Sequence, residues 1–118
     1  MSETNPGRRR VPRVKASGHA VLLGRERRDA GLLDVSTRGC LVRADRPLLH
    51  GQIVDVSLQL GGRALKAKAR VAEVSLDGAA SQPRYLAGLE FLDVLPEDER
   101  RLEQYVQAAR REKGAARS

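Results

Sequence analysis

The stretch from Ile53 to Val71 constrains the fold most. Val54, Val56, Leu58 and Leu60 alternate with Asp55, Ser57 and Gln59, and Gly61-Gly62 then interrupts the run. Beyond the glycines, Leu65, Ala67, Ala69 and Val71 alternate with Lys66, Lys68 and Arg70. A period of two places alternate side chains on one face of a strand. Two such runs about a Gly-Gly pair specify a β-hairpin, since the favoured two-residue turn needs positive φ at its centre. One face of this hairpin is apolar, and the outer face of the returning strand is basic. The apolar face has to be covered.

Shorter runs on either side supply the cover. Val14 to Leu23 alternates Ala16, Gly18, Ala20 and Leu22 with Ser17, His19 and Val21, and reads as a strand. Gly24 to Arg28 is a polar, hairpin-like connection. Ala30 to Val35 and Gly39 to Ala44 read as the next two strands, and Pro47 to Gly51 as a loop. Asp77 to Pro83 is a flexible loop of small and polar residues. Tyr85, Ala87, Leu89 and Phe91 share one face of a sixth strand. The period then changes. Pro96-Glu97-Asp98-Glu99 opens a helix, with acids matching the N-terminal dipole. Leu102, Tyr105 or Val106, and Ala109 recur at helical spacing. Arg110, Arg111 and Lys113 suit the C-terminal end, and Gly114 is the predicted stop.

Six strands and one helix predict an all-β domain with a C-terminal helix, a six-stranded antiparallel β-barrel capped by one α-helix. The chain has 118 residues, 41% hydrophobic and only 3% aromatic. It holds one modest core of Val, Leu and Ala. Tyr85 and Phe91 are expected in that core, with Cys40 as a small core residue. The expected boundaries are a flexible tail at 1–7, a domain at 8–113 with a flexible basic N-terminal arm, and a frayed tail at 114–118.

Several functions are disfavoured. No apolar run approaches the ~18 residues of a membrane span. The polar start, Met1 to Gly7, lacks the apolar region of a signal peptide. Cys40 has no intrachain partner, which fits a reducing compartment. These features lead to the expectation of a cytoplasmic protein with no membrane insertion. His19 and His50 have no carboxylate or Cys at ligand spacing, so no metal site is expected. Ser36 lacks a recognisable His partner, and no acid–base pair stands out. The expectation is no catalytic residue, no enzyme and no cofactor.

The net charge is +7, and of the 22 basic residues four are Lys and 18 Arg. Arg forks bind phosphates and guanine edges bidentately, so polyanions are plausible partners. Two polar motifs stand out. Arg8 precedes Arg9-Arg10-Val11-Pro12-Arg13, an R-x-x-x-R in which Arg9 and Arg13 lie on one side of a turn or an extended segment. Asp34-Val35-Ser36-Thr37-Arg38-Gly39 is a D-x-S-x-x-G set between two strands. Its carboxylate suits guanine N1–H and N2–H, its hydroxyl suits a base edge or phosphate, and Gly39 permits positive φ in a tight connection. Asp and Ser at such positions also commonly bond their own turn.

Taken together, the two motifs resemble the signature of the PilZ domain family, which binds cyclic di-GMP. Pro47-Leu48-x-x-Gly51-x-x-Val54-x-Val56-x-Leu58 is similar to the start of that family's middle strand. Gly88-Leu89-Glu90-Phe91, followed by the acidic helix start, is similar to its last strand and helix. The resemblance spans about residues 8 to 107. It implies a single-domain receptor that acts on an unidentified protein partner. Arg9 and Arg13 would grip guanine edges and phosphates, with Arg10 adding a phosphate contact. Asp34 and Ser36 would read a guanine, and Gly39 would keep the backbone close to the ligand. The basic Arg8 implies a stacked pair, two ligands per chain. Binding would order the arm against the barrel.

Two alternatives stay open. One is a basic β-barrel that binds nucleic acid, with or without control by the ligand, although the few aromatics argue against base stacking. The other is a PilZ adaptor that no longer binds nucleotide.

Overall fold

The computed structural model describes residues 11–78 and 84–117. Six strands run in chain order: β1 (Val14–Leu23), β2 (Arg27–Val35), β3 (Gly39–Ala44), β4 (Ile53–Leu60), β5 (Arg63–Asp77) and β6 (Arg84–Val94). A helix, α1 (Pro96–Arg117), follows. The strands close into a barrel in the order β1-β2-β3-β6-β5-β4, every pairing antiparallel. The expected architecture is therefore observed.

The β4–β5 hairpin forms as its pattern requires. Leu60 pairs with Arg63, and Gly61 and Gly62 take φ of 59° and 81°, the double left-handed geometry of a type I′ turn. Three boundaries differ from the sequence reading. β2 begins at Arg27, because Leu23 and Arg27 pair across a turn of only three residues. β5 runs on to Asp77, which pairs with Arg84, so the connection after it starts later than expected. The helix passes the predicted stop at Gly114 and reaches Arg117. A helical glycine costs only about 1 kcal/mol relative to alanine, and Ala115 and Ala116 follow it.

The interior is filled from every strand. Ala20, Leu22, Leu32, Val35, Val42, Val56, Leu58, Ala69 and Val71 are almost wholly buried. Leu102 and Val106 of α1 complete the same core. Cys40 is buried there too, and its thiol is pushed up to about 12, first by burial and then by the nearby Asp34 charge, so it stays protonated at neutral pH. Phe91 packs against the core. Tyr85 does not; it lines an outer concavity instead. It sits near the start of β6 and is half-buried, beyond the tightly packed middle of the strand at Ala87 and Leu89.

One alternation breaks, and the break matters. In β2, Ala30 and Leu32 point inward, and the next inward residue is Val35 rather than residue 34. A β-bulge lies between Leu32 and Asp34 against β3, with a matching irregularity between Lys15 and Gly18 on β1. The extra residue reverses the parity of the strand. It turns Asp34 away from the core and leaves it at the outer surface.

The helix is anchored by more than its apolar stripe. β6 joins β5 only from the Ala67–Val94 pair onward. Earlier, the Lys66 backbone N–H donates to Asp98 Oδ2 at 3.2 Å, and Arg101 donates to the Ala64 carbonyl at 2.7 Å and to Asp98 Oδ1 at 2.6 Å. Asp98 is buried. Besides matching the helix dipole, it bonds a backbone group that no strand reaches. Asp98→Ala should destabilise the domain by about 1–3 kcal/mol, the cost of an unsatisfied buried donor. Urea denaturation of the variant measures this, and a midpoint equal to wild type would refute the anchoring role.

Candidate functional site

Arg13 of the first motif meets Asp34 of the second on the outside of the barrel. Pro12 fixes the backbone just before β1, and Arg13 lies at the mouth of that strand. Arg13 NH2 donates to Asp34 Oδ1 at 3.1 Å, across 21 residues of sequence. The bulge in β2 makes this contact available by turning Asp34 outward. The Arg13 side chain is 57% exposed and that of Asp34 24%. Both keep surface on which to meet a ligand.

The connection between β2 and β3 is built by Ser36. Its Oγ accepts from the Arg38 N–H at 3.0 Å and the Gly39 N–H at 3.2 Å, while the hydroxyl points its own proton toward the Gly39 carbonyl at 3.4 Å. The Ser36 N–H donates to that same carbonyl at 2.8 Å. Ser36 is buried. In this arrangement its hydroxyl holds the turn together.

Gly39 serves a purpose other than the one its turn position suggested. Positive φ occurs among the described residues only at Gly51, Gly61 and Gly62. Gly39 is required by close approach instead. A Cβ there would lie 2.1 Å from the Leu89 carbonyl oxygen, in the β3–β6 pairing where Gly39 faces Glu90. The turn is also tied to β6 by the Phe91 N–H, which donates to the Arg38 carbonyl at 2.9 Å.

These parts enclose a cleft of about 230 Å³ lined by Val11, Arg13, Ser36, Arg38, Gly39, Leu89 and Glu90. The structure thus brings together Arg13, Asp34, Ser36 and Gly39. Arg8, Arg9 and Arg10 lie outside the described residues. Two charged lining side chains were not singled out as site residues from the sequence. Glu90 stands opposite Gly39 and is ion-paired with Arg70. Arg38 occupies a variable position of the D-x-S-x-x-G motif and is exposed. Only the pairing of Gly39 with β6 brings these residues to the cleft, and no local pattern announces it.

A larger concavity of about 680 Å³ lies further along the outer face, lined by His19, Asp29, Arg43, Asp45, Arg84 and Tyr85 among others. Much of its charge is internally matched. Asp29 bonds Arg27 and His19, which hold its carboxyl below the usual range, and Arg43 pairs with Asp77 at 3.0 Å. Two side chains of the basic outer face of β5 are matched in the same way: Lys68 pairs with Asp55 and Arg70 with Glu90. Among the described residues no group of His, Cys, Asp and Glu could hold a metal ion, and no helix is long and apolar enough to cross a membrane.

The fold has solved counterparts. The PilZ domain of YcgR from Escherichia coli, solved with c-di-GMP, is similar at 20% identity over 90% of this chain and 94% of that one, with a TM-score of 0.72. MrkH of K. pneumonia, solved as a c-di-GMP complex, is similar at 19% identity with a TM-score of 0.80, over 91% of this chain and 54% of MrkH. The Bacillus subtilis inhibitor of motility, MotI/DgrA, is similar at 18% identity with a TM-score of 0.77, over 92% of this chain and 53% of that one. This chain spans about half the length of the latter two. At such identities the likeness establishes the fold. No curated protein matches the sequence. The PilZ domain model, by contrast, matches residues 7–108, nearly the whole sequence, and on that match the chain belongs to the PilZ domain family.

Proposed function

We propose that this protein is a non-catalytic receptor for cyclic di-GMP, binding through R-x-x-x-R and D-x-S-x-x-G. The observation that carries the reading is the 3.1 Å contact between Arg13 and Asp34. Arg13 of the first motif and Asp34 of the second, far apart in sequence, touch beside the cleft, and both are partly exposed groups of the kind that complement a guanine nucleotide. Similar structures solved with c-di-GMP support the same ligand. In the proposed complex Arg9 and Arg13 take guanine edges and phosphates, with Arg10 on a further phosphate. Asp34 accepts from a guanine, and Ser36 and Gly39 shape the turn beneath it. Arg8 favours two stacked ligands per chain. Ordering of the arm creates a new surface for a protein partner, and part of the binding free energy is consumed in that ordering.

The nucleic-acid reading has less behind it, because Lys68 and Arg70 of the basic hairpin face are neutralised by Asp55 and Glu90. Isothermal titration with cyclic di-GMP, with GTP and cyclic di-AMP as controls, tests the proposal. Selective binding at about two ligands per chain is the expected result. One ligand per chain would remove the role given to Arg8. Absence of binding at physiological salt would overturn the receptor reading in favour of an adaptor.

A further inference from the structure

We infer that Arg38 is an additional ligand-gripping residue of this cleft, a bidentate donor to a phosphodiester oxygen pair. The inference rests on the receptor reading above and deepens it. It starts from the charges around the cleft. Arg13 is matched by Asp34 and Glu90 by Arg70. The Arg38 guanidinium has no hydrogen-bond or ion-pair partner among the described residues, and the residue is exposed. Arg38 is therefore the uncompensated charge among the described residues that line the cleft. Among the described residues, this one side chain is the source of net positive charge that an entering anion meets.

The base of that side chain is fixed. The Arg38 N–H donates to Ser36 Oγ at 3.0 Å, and its carbonyl accepts from the Phe91 N–H at 2.9 Å. Both backbone groups are thus tied to the scaffold while the guanidinium stays unengaged. A cation held this way loses less freedom on binding than one on an unanchored segment. Its planar fork matches two oxygens of one phosphodiester. Ser36 then has a further role: its hydroxyl fixes the backbone from which Arg38 extends at the cleft.

The test is titration of cyclic di-GMP into wild type, Arg38→Ala and Arg38→Lys, with thermal melting of each ligand-free protein. Arg38→Ala should weaken binding roughly ten- to a hundred-fold, the usual loss for a charge-assisted contact. Arg38→Lys should recover only part of that, because a point charge replaces a fork. Melting temperatures should be unchanged, since the guanidinium supports nothing in the ligand-free fold. Arg38→Ala binding as tightly as wild type would overturn this inference and leave the receptor reading intact. Wild type failing to bind would overturn both. A large fall in melting temperature for Arg38→Ala would show a structural residue and would also overturn it.

Discussion

Gly39→Ala should lower the melting temperature by on the order of 10–25 °C, the largest effect expected of any single methyl group in this protein. An added Cβ would stand 2.1 Å from the Leu89 carbonyl oxygen, far inside contact distance. The obstacle is backbone, which cannot swing aside as a side chain does. Relief requires β3 and β6 to separate at Gly39–Glu90, next to the bond from the Phe91 N–H to the Arg38 carbonyl. That break exposes Cys40 and Leu89 beside it. A loss of about 3–5 kcal/mol follows, a large share of the roughly 5–15 kcal/mol that holds a domain folded. Gly31→Ala is the matched control, because a Cβ at Gly31 meets nothing within 4 Å. It should change stability by about 0.5 kcal/mol or less. Calorimetric melts of both proteins decide the matter, and equal melting temperatures would show that β3 and β6 are not held at this distance.

Arg13→Ala should weaken cyclic di-GMP binding about ten- to a hundred-fold with little change in stability. The two readouts separate because of exposure. In the free protein the Arg13–Asp34 pair is a surface contact, with the Arg13 side chain 57% exposed, and such pairs contribute only about 0–1 kcal/mol. In the complex the same guanidinium would bond a ligand that shields it from water. Asp34→Ala should also weaken binding, and the double variant should lose less than the sum of the two single losses, since each group orients the other. Titration of the three variants checks this. Strictly additive losses would mean that the two residues meet the ligand independently.

Much of the fold was legible because the signals were local. The hairpin from Ile53 to Val71 carries its own periodicity and turn residues, and α1 carries an acidic start and a stripe through Leu102 and Val106. The site was legible only in part. Asp34 and Arg13 could be named from their motifs, but the β2 bulge that turns Asp34 outward leaves no mark in a run such as Leu32-Leu33-Asp34-Val35. Gly39 was expected to supply a left-handed turn, yet its role depends on Leu89, 50 residues away. Such close approach is a property of strand pairing, which residue identity at one position does not encode. Arg38, Glu90 and the double use of Asp98 were hidden for the same reason.

Closure of the barrel limits how any other protein can take hold of this one. Sheet edges invite partners to add a strand through main-chain bonds, and here β1 joins β4, so the sheet has no terminal strand. The short stretch of β5 that β6 does not reach is occupied instead by α1, through Asp98 on the Lys66 N–H and Arg101 on the Ala64 carbonyl. Recognition must then pass through side chains and whatever lies bound among them. A domain built this way resists indiscriminate self-assembly, because it offers a partner no unpaired strand to extend.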